Sequence, residues 1–133
     1  MGNQTVTCWG DNSKGQLGVG NTKQPSSWTS VLTLNDAEAI TAGRAHACAL
    51  KSDKSVVCWG DNTYGTVGDG TLSMRTSPTP VKGLKNVVAL KAHTDHTCAV
   101  LSAGSVRCWG SNLLGQLGHG TGWSLVPTTV VGL

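Results

Sequence analysis

The stretch CWGDNSKGQLGVGNT, beginning at Cys8, returns as CWGDNTYGTVGDGT from Cys58 and as CWGSNLLGQLGHGT from Cys108. Cys48 and Cys98 keep the same step of 50 residues, as do His46 and His96, and Gly18, Gly68 and Gly118. A chain that repeats at such a step is one supersecondary unit stacked on copies of itself, since a single unit buries too little apolar surface to stand alone. Ala39 to Gly60 aligns without gaps on Ala89 to Gly110, and the units close on VKGL (Val81 to Leu84) and VVGL (Val130 to Leu133). This divides the chain into a partial unit, residues 1–34, and two full units, 35–84 and 85–133. The partial unit corresponds to the later part of a full one.

Within a unit the patterning predicts strands only. Glu38–Ala42 and Val87–Ala92 show short apolar alternation, and HACALK and HTCAVL place small or apolar residues at alternate positions. The return segments SVVCWG and SVRCWG are enriched in β-branched and aromatic residues. A Thr/Pro-rich strand is expected near Thr79–Val81 and Thr128–Val131, at an edge where a missing N–H does no harm. No segment sustains a 3.6-residue period. Phe is absent while Trp occurs five times, so Trp is the large core side chain, and 18 glycines provide for many tight turns. Four short antiparallel strands in about 50 residues is the pattern of a β-propeller blade. The expected fold is all-β, with about two and two-thirds blades of an incomplete ring.

HACALKSDKSVVCWGDNTYGTVGDGT strongly resembles the repeats of the regulator of chromosome condensation family. The elements that carry the resemblance are A-G-x-x-H-x-C-A-L, V-x-C-W-G-x-N and G-x-x-G-x-G-T, and together they recur over the whole chain. The resemblance implies a propeller of four-stranded blades, usually seven to a ring. It is most similar to the cysteine-containing bacterial branch, many of whose members are expected to be extracellular.

The five cysteines follow the repeat. With hairpin turns at Ser52–Asp53–Lys54 and Ser102–Ala103–Gly104, Cys48 falls opposite Cys58 and Cys98 opposite Cys108. A three-residue hairpin with Gly in its last position is a favoured connection. Opposed residues in a non-hydrogen-bonded pair have Cα atoms roughly 4.5 Å apart, within reach of a disulfide. Each bridge would close a loop of about eleven residues, worth on the order of 2–3 kcal/mol. This register favours disulfides over reduced buried thiols. A metal site is disfavoured, since zinc sites take cysteines two to four residues apart or Cys/His knuckles. Two bridges would place the chain in an oxidising compartment, extracellular or periplasmic. Cys8 is then the free thiol: the step puts its counterpart ten residues upstream, so Met1–Gly2 reads as the start of a fragment.

Other chemistry finds little support. Gly15, Gly18 and Gly20 lack the order and the following helix of a dinucleotide fingerprint, and recur as turn glycines. Asp11–Asn12 and Asp61–Asn62 lack the later ligand of a calcium loop, and the repeated Asn reads as a turn residue that bonds nearby backbone. His46 and His96, once per blade, read as structural histidines, as Trp9, Trp59 and Trp109 read as blade-core residues. His93, Asp95 and His96 form a local cluster that could share a strand face, but no nucleophile stands beside it. No catalytic residue, cofactor or metal site is assigned. Net charge is +3 from scattered basic residues, which argues against nucleic acid, and no apolar run is long enough to span a membrane.

Residues that break the repeat are available to a partner. Trp28 stands where the other units carry Pro78 and Thr128, and Trp123 where they carry Lys23 and Ser73. Tyr64, Arg75 and His119 are likewise unmatched. Trp28, Trp123, Tyr64 and Arg75 lie in the long Gly-to-strand connections, where loops on a rigid scaffold carry binding. The reading is a non-enzymatic interaction module for a protein partner, prone to self-association through open blade edges. Carbohydrate binding through exposed Trp is the alternative. Guanine-nucleotide exchange, implied by the resemblance through the family's founding member, lacks the features that would single out that branch.

Overall fold

The computed structural model describes residues 4–111 and 123–130. Among these residues there is no helix, and ten strands form three antiparallel sheets. The partial unit supplies β1 (Thr7–Cys8) and β2 (Thr29–Ser30), paired with each other. The first full unit folds as β3 (Ala37–Ala42), β4 (His46–Lys51), β5 (Val56–Gly60) and β6 (Arg75–Pro80), adjacent in that order. The second repeats the order as β7 (Val87–Ala92), β8 (His96–Leu101), β9 (Val106–Ser111) and β10 (Trp123–Thr129).

The register is the one that sequence periodicity predicts. Cys48 lies opposite Cys58 and Cys98 opposite Cys108, and each pair forms a disulfide across its hairpin, with Cα atoms 4.0 and 4.1 Å apart. The turns close by N–H donation from Lys54 to the Lys51 carbonyl and from Gly104 to the Leu101 carbonyl. Both third residues adopt positive φ, 69° at Lys54 and 95° at Gly104.

The outer strands differ from expectation. β6 and β10 begin earlier than the Thr/Pro stretches suggest, at Arg75 and Trp123. A bulge absorbs the difference: Cys58 pairs with Thr79 and Gly60 with Arg75, so four steps on β6 face two on β5. The edge position makes this tolerable, because Pro78 and Pro80 lack only donors that an edge strand does not need.

The core lies between blades rather than within them. One cluster joins Leu50, Val56, Val67, Val81 and Leu84 to Val87, Ala99 and Trp109 of the next blade. A second joins Val31 and Leu34 of the partial unit to Ala47, Ala49, Val57 and Trp59. A blade sheet is therefore stable only when its face is covered by a neighbour.

Mass spectrometry after alkylation of the unreduced, denatured chain should show one modified cysteine of the five. Five modified cysteines would contradict the paired register.

Candidate interaction face and blade interfaces

Blade-to-blade contacts are built from three devices, of which the first two recur. The first is an indole donor. Trp59 and Trp109 are fully buried, and each donates its Nε1–H across the interface, to the carbonyls of Gln16 and Thr66, both at 2.9 Å. The acceptor sits in the glycine turn of the preceding unit, 43 residues earlier in both cases. A Cβ at Gly18 would lie 2.9 Å from Trp59 Nε1, and at Gly68 2.7 Å from Trp109 Nε1. Both glycines also hold positive φ, 69° and 76°, so two independent constraints exclude a side chain there.

The second device holds that turn in shape. Asn12 and Asn62 are fully buried. Asn62 Oδ1 accepts from Val67 N at 2.9 Å, and its Nδ2 donates to the carbonyls of Thr71 and Ser73, both at 2.9 Å. Asn12 does the same with Leu17 N at 3.1 Å and the Asn21 and Lys23 carbonyls at 3.0 and 2.8 Å. One amide thus ties the start of the glycine loop to its middle and its exit, a reach well beyond the local turn expected of it.

The third device is polar and links the inner strands. His46 Nε2 and Thr97 Oγ1 share a buried hydrogen bond at 2.9 Å. Ala92 N donates to Thr41 Oγ1 at 2.9 Å, and Arg44 Nη2 spans both oxygens of Asp95 at 3.0 and 3.1 Å. Gly43 fits beneath the His93 carbonyl, where a Cβ would collide with the carbonyl oxygen. Burial pushes the His46 pKa down to about 4 despite the nearby charges of Asp95 and Asp61. Burial also lowers His96, and the adjacent His93 adds to that. The rings of His93 and His96 stack with centroids 5.2 Å apart, while Asp95 turns to Arg44, so the three do not converge on one point.

Trp9 departs from the expectation of a blade-core residue: it is 72% exposed. The cause is the same device that buries its counterparts. By the 43-residue offset its acceptor turn would lie upstream of this sequence. Trp9 instead meets Trp28, itself 71% exposed, across a cleft of about 490 Å³ floored by Gly10 and Pro25 to Ser27.

Strand register brings the residues that break the repeat to one end of the blades. Gly60 faces Arg75, Ser111 faces Trp123, and Thr29, next to Trp28, faces Cys8. Tyr64 lines a second cleft of about 430 Å³ with Lys14, Arg44, Asp11 and Asp61. Arg75 is not free to bind outward: its Nε donates to Asp69 Oδ2 at 2.6 Å, and its Nη2 reaches Thr71. Burial opposes ionisation of Asp69, but Thr71 and Arg75 together hold its carboxyl below the usual range. Asp69 was not singled out from the sequence, although it also breaks the repeat, against Val19 and His119. The two exceptions compensate each other. His119 and the side chain of Trp123 lie outside the described residues. Cys8 is the unpaired cysteine, half-buried, with its thiol pKa raised by that burial.

Four-stranded blades docked through a repeated tryptophan and glycine turn define a segment of a repeat β-propeller. The regulator of chromosome condensation (RCC1) repeat model matches residues 5–50 and 54–100, and a second RCC1 repeat model matches 38–66 and 94–116. The chain belongs to the RCC1 repeat family. It is similar in structure to human WBSCR16, with a TM-score of 0.82 at 23% identity over 94% of this chain. It is also similar to Prp20p from Saccharomyces cerevisiae, with a TM-score of 0.76 at 23% identity over 95% of this chain. Yeast RCC1 (Prp20) bound to Kap60 gives a TM-score of 0.74 at 22% identity over 97%. The chain spans 34% of the length of each of these three, about a third of a full propeller. No curated protein matches the sequence.

Gly68→Ala should lose about 2 kcal/mol or more in equilibrium unfolding, from the left-handed backbone and the indole contact together. His46 makes stability pH-dependent with a definite sign. The unfolded chain takes up its proton near pH 6.5 and the folded chain only near 4. Stability is therefore complete above about pH 7 and falls by about 3 kcal/mol as pH drops through that window. His46→Gln should flatten the profile, His96 leaving a smaller slope of the same sign.

Proposed function

We propose that this chain is a non-catalytic protein-interaction module, and that it engages its partner with the loop end of its blades. The observation that carries the reading is the collection of Trp28 and Tyr64 at that end, on loops that the recurring Asn staples hold rigid. An exposed Trp and a partly buried Tyr, with Lys14, Asp11 and Asp61 lining the same cleft as the Tyr, suit a protein surface with apolar and polar elements. The similar yeast Prp20p is described through its binding to Gsp1p and histones and through its complex with Kap60, all of them proteins. At 22–23% identity the likeness carries the fold, so the partner of this chain is to be read from its own loops. The two disulfides support an oxidising compartment as the place where binding occurs.

The Trp9–Trp28 cleft supports carbohydrate as a second reading, since paired indoles stack on sugar faces. The repeat favours the first, because it assigns Trp9 to blade packing and leaves Trp28 alone as an anchor. A Trp28→Ala/Tyr64→Ala double variant should keep its unfolding midpoint and lose about tenfold or more in affinity for a purified protein partner. A specific hit on a glycan array, abolished by Trp28→Ala, would replace the protein reading with the carbohydrate one.

A further inference from the structure

The outer strands of the three units, β2, β6 and β10, share one register: Thr29 lies opposite Cys8, Thr79 opposite Cys58 and Thr128 opposite Cys108. In each unit the next inward bond is the same, with Val31, Val81 and Val130 donating to the carbonyls of Val6, Val56 and Val106 at 2.9, 3.0 and 2.9 Å. Backbone groups of successive residues point to opposite edges of a strand, so the residues just before and just after each threonine turn their N–H and C=O away from the sheet. Those residues are Trp28 and Ser30 on β2, Pro78 and Pro80 on β6, and Pro127 and Thr129 on β10. The register puts Pro127, not Thr128, in the place of Trp28, because the second full unit is one residue short. Proline removes the donor that an added strand would need, and so guards an edge. β6 is guarded at both positions and β10 at one. β2 is guarded at neither.

The two full units show that this edge is not one the repeat covers. In both four-stranded sheets the outer strand stands last in the order, bonded on its inner side alone. By that order, strands earlier in a unit add on the far side of β1 and leave the edge of β2 as it is. The preceding unit bonds to the start of the outer strand, where Gly20 N donates to the Thr76 carbonyl at 2.8 Å and Gly70 N to the Leu125 carbonyl at 3.0 Å. Each acceptor lies two residues before the guarding proline. Charge does not blunt the edge of β2 either, since Gln24 to Asn35 contains no ionisable side chain. Trp28 and Ser30 are both exposed, and the Trp28 carbonyl meets no more than the neighbouring Ser27 hydroxyl at 3.5 Å among the described residues.

We propose that the outer edge of β2 pairs antiparallel with the same edge of a second copy of this chain, joining two partial units into one sheet. The segment is complementary to itself. With a two-fold axis at Thr29, Trp28 and the partner's Ser30 exchange both backbone hydrogen bonds, and symmetry repeats the exchange between Ser30 and the partner's Trp28. Every outward N–H and C=O of the two residues is then used. Uncharged edges also meet without the repulsion that like charges directly opposite each other would bring. Directly opposed residues share a face of the sheet, so both Trp28 indoles emerge on one face and present a doubled anchor. The pairing goes beyond the loop-end reading and does not rest on it.

The test uses the 133-residue chain alone, with no binding partner, in a Cys8→Ser background, because Cys8 faces Thr29 in register and would trap a thiol placed there. Sedimentation equilibrium should show a monomer–dimer exchange with a dissociation constant on the order of 0.1 mM, as suits a short edge. Trp28→Pro/Ser30→Pro, which gives β2 the guard of β6, should weaken the dimer about tenfold or more and leave the Trp59 and Trp109 indole N–H resonances in place. Trp28→Ala keeps the donor and should weaken the dimer less than the double proline does. Across the axis Thr29 faces the partner's Thr29 in a non-hydrogen-bonded pair, with Cα atoms roughly 4.5 Å apart and within reach of a disulfide. Thr29→Cys treated with oxidised glutathione should therefore yield a disulfide-linked dimer, and Thr33→Cys should not. A dimer that resists the prolines and gives no link through Thr29→Cys would overturn the proposal. So would a chain that stays monomeric at the highest concentrations, which would leave the edge to a strand of a different protein.

Discussion

The fold depends on one interaction made twice: an indole N–H on the return strand of one blade, donated to a carbonyl in the glycine turn of the blade before it. A twisted four-stranded sheet of this size has two faces and cannot cover either alone. The indole is buried in the apolar contact between blades, while its N–H finds the acceptor that a buried Trp requires. The turn must come close enough to present its carbonyl, and that is why Gly18 and Gly68 have no room for a Cβ. Asn12 and Asn62 then keep the turn in the conformation that the indole needs. Cys, Trp, Gly and Asn in the recurring stretch are thus parts of one joint and its strand support.

The same joint explains the asymmetry of the chain. Where both sides are present, as between the two full blades, Trp109 and Val67 are sealed in a shared core. In the partial unit the same residue types lie open: Trp9 is exposed and Cys8 is unpaired. These residues follow the rule of the repeat, and their exposure reports what the rule leaves uncovered. Trp28 differs in kind. It is exposed without being a repeat position, which is why we propose it as a binding anchor while Trp9 marks a joint.

Much of this was legible in the sequence because strand pairing is periodic and local. The opposition of Cys48 to Cys58 needs only a turn length and alternation, both of which the chain displays. The blade order followed from the repeat step. What escaped detection was chemistry in which at least one partner does not recur. His46 recurs, but its partner Thr97 is Ala47 one unit earlier, so no repeated pair marks the bond. Arg75 stood out as an exception, yet its partner Asp69 turned an expected outward anchor into an internal ion pair. Trp9 was misread as core because its motif is intact, and burial depends on the neighbour, not on the motif. The early starts of β6 and β10 were hidden by a bulge, which alternation cannot register.

The joint can be measured directly through the indole protons. In assigned NMR spectra, Trp59 and Trp109 Nε1–H should exchange with solvent on the order of a thousandfold more slowly than those of Trp9 and Trp28, opening only as the blades separate. Comparable fast exchange at all four would show that the indoles do not seat in the glycine turns, and the account of how these blades hold together would fail.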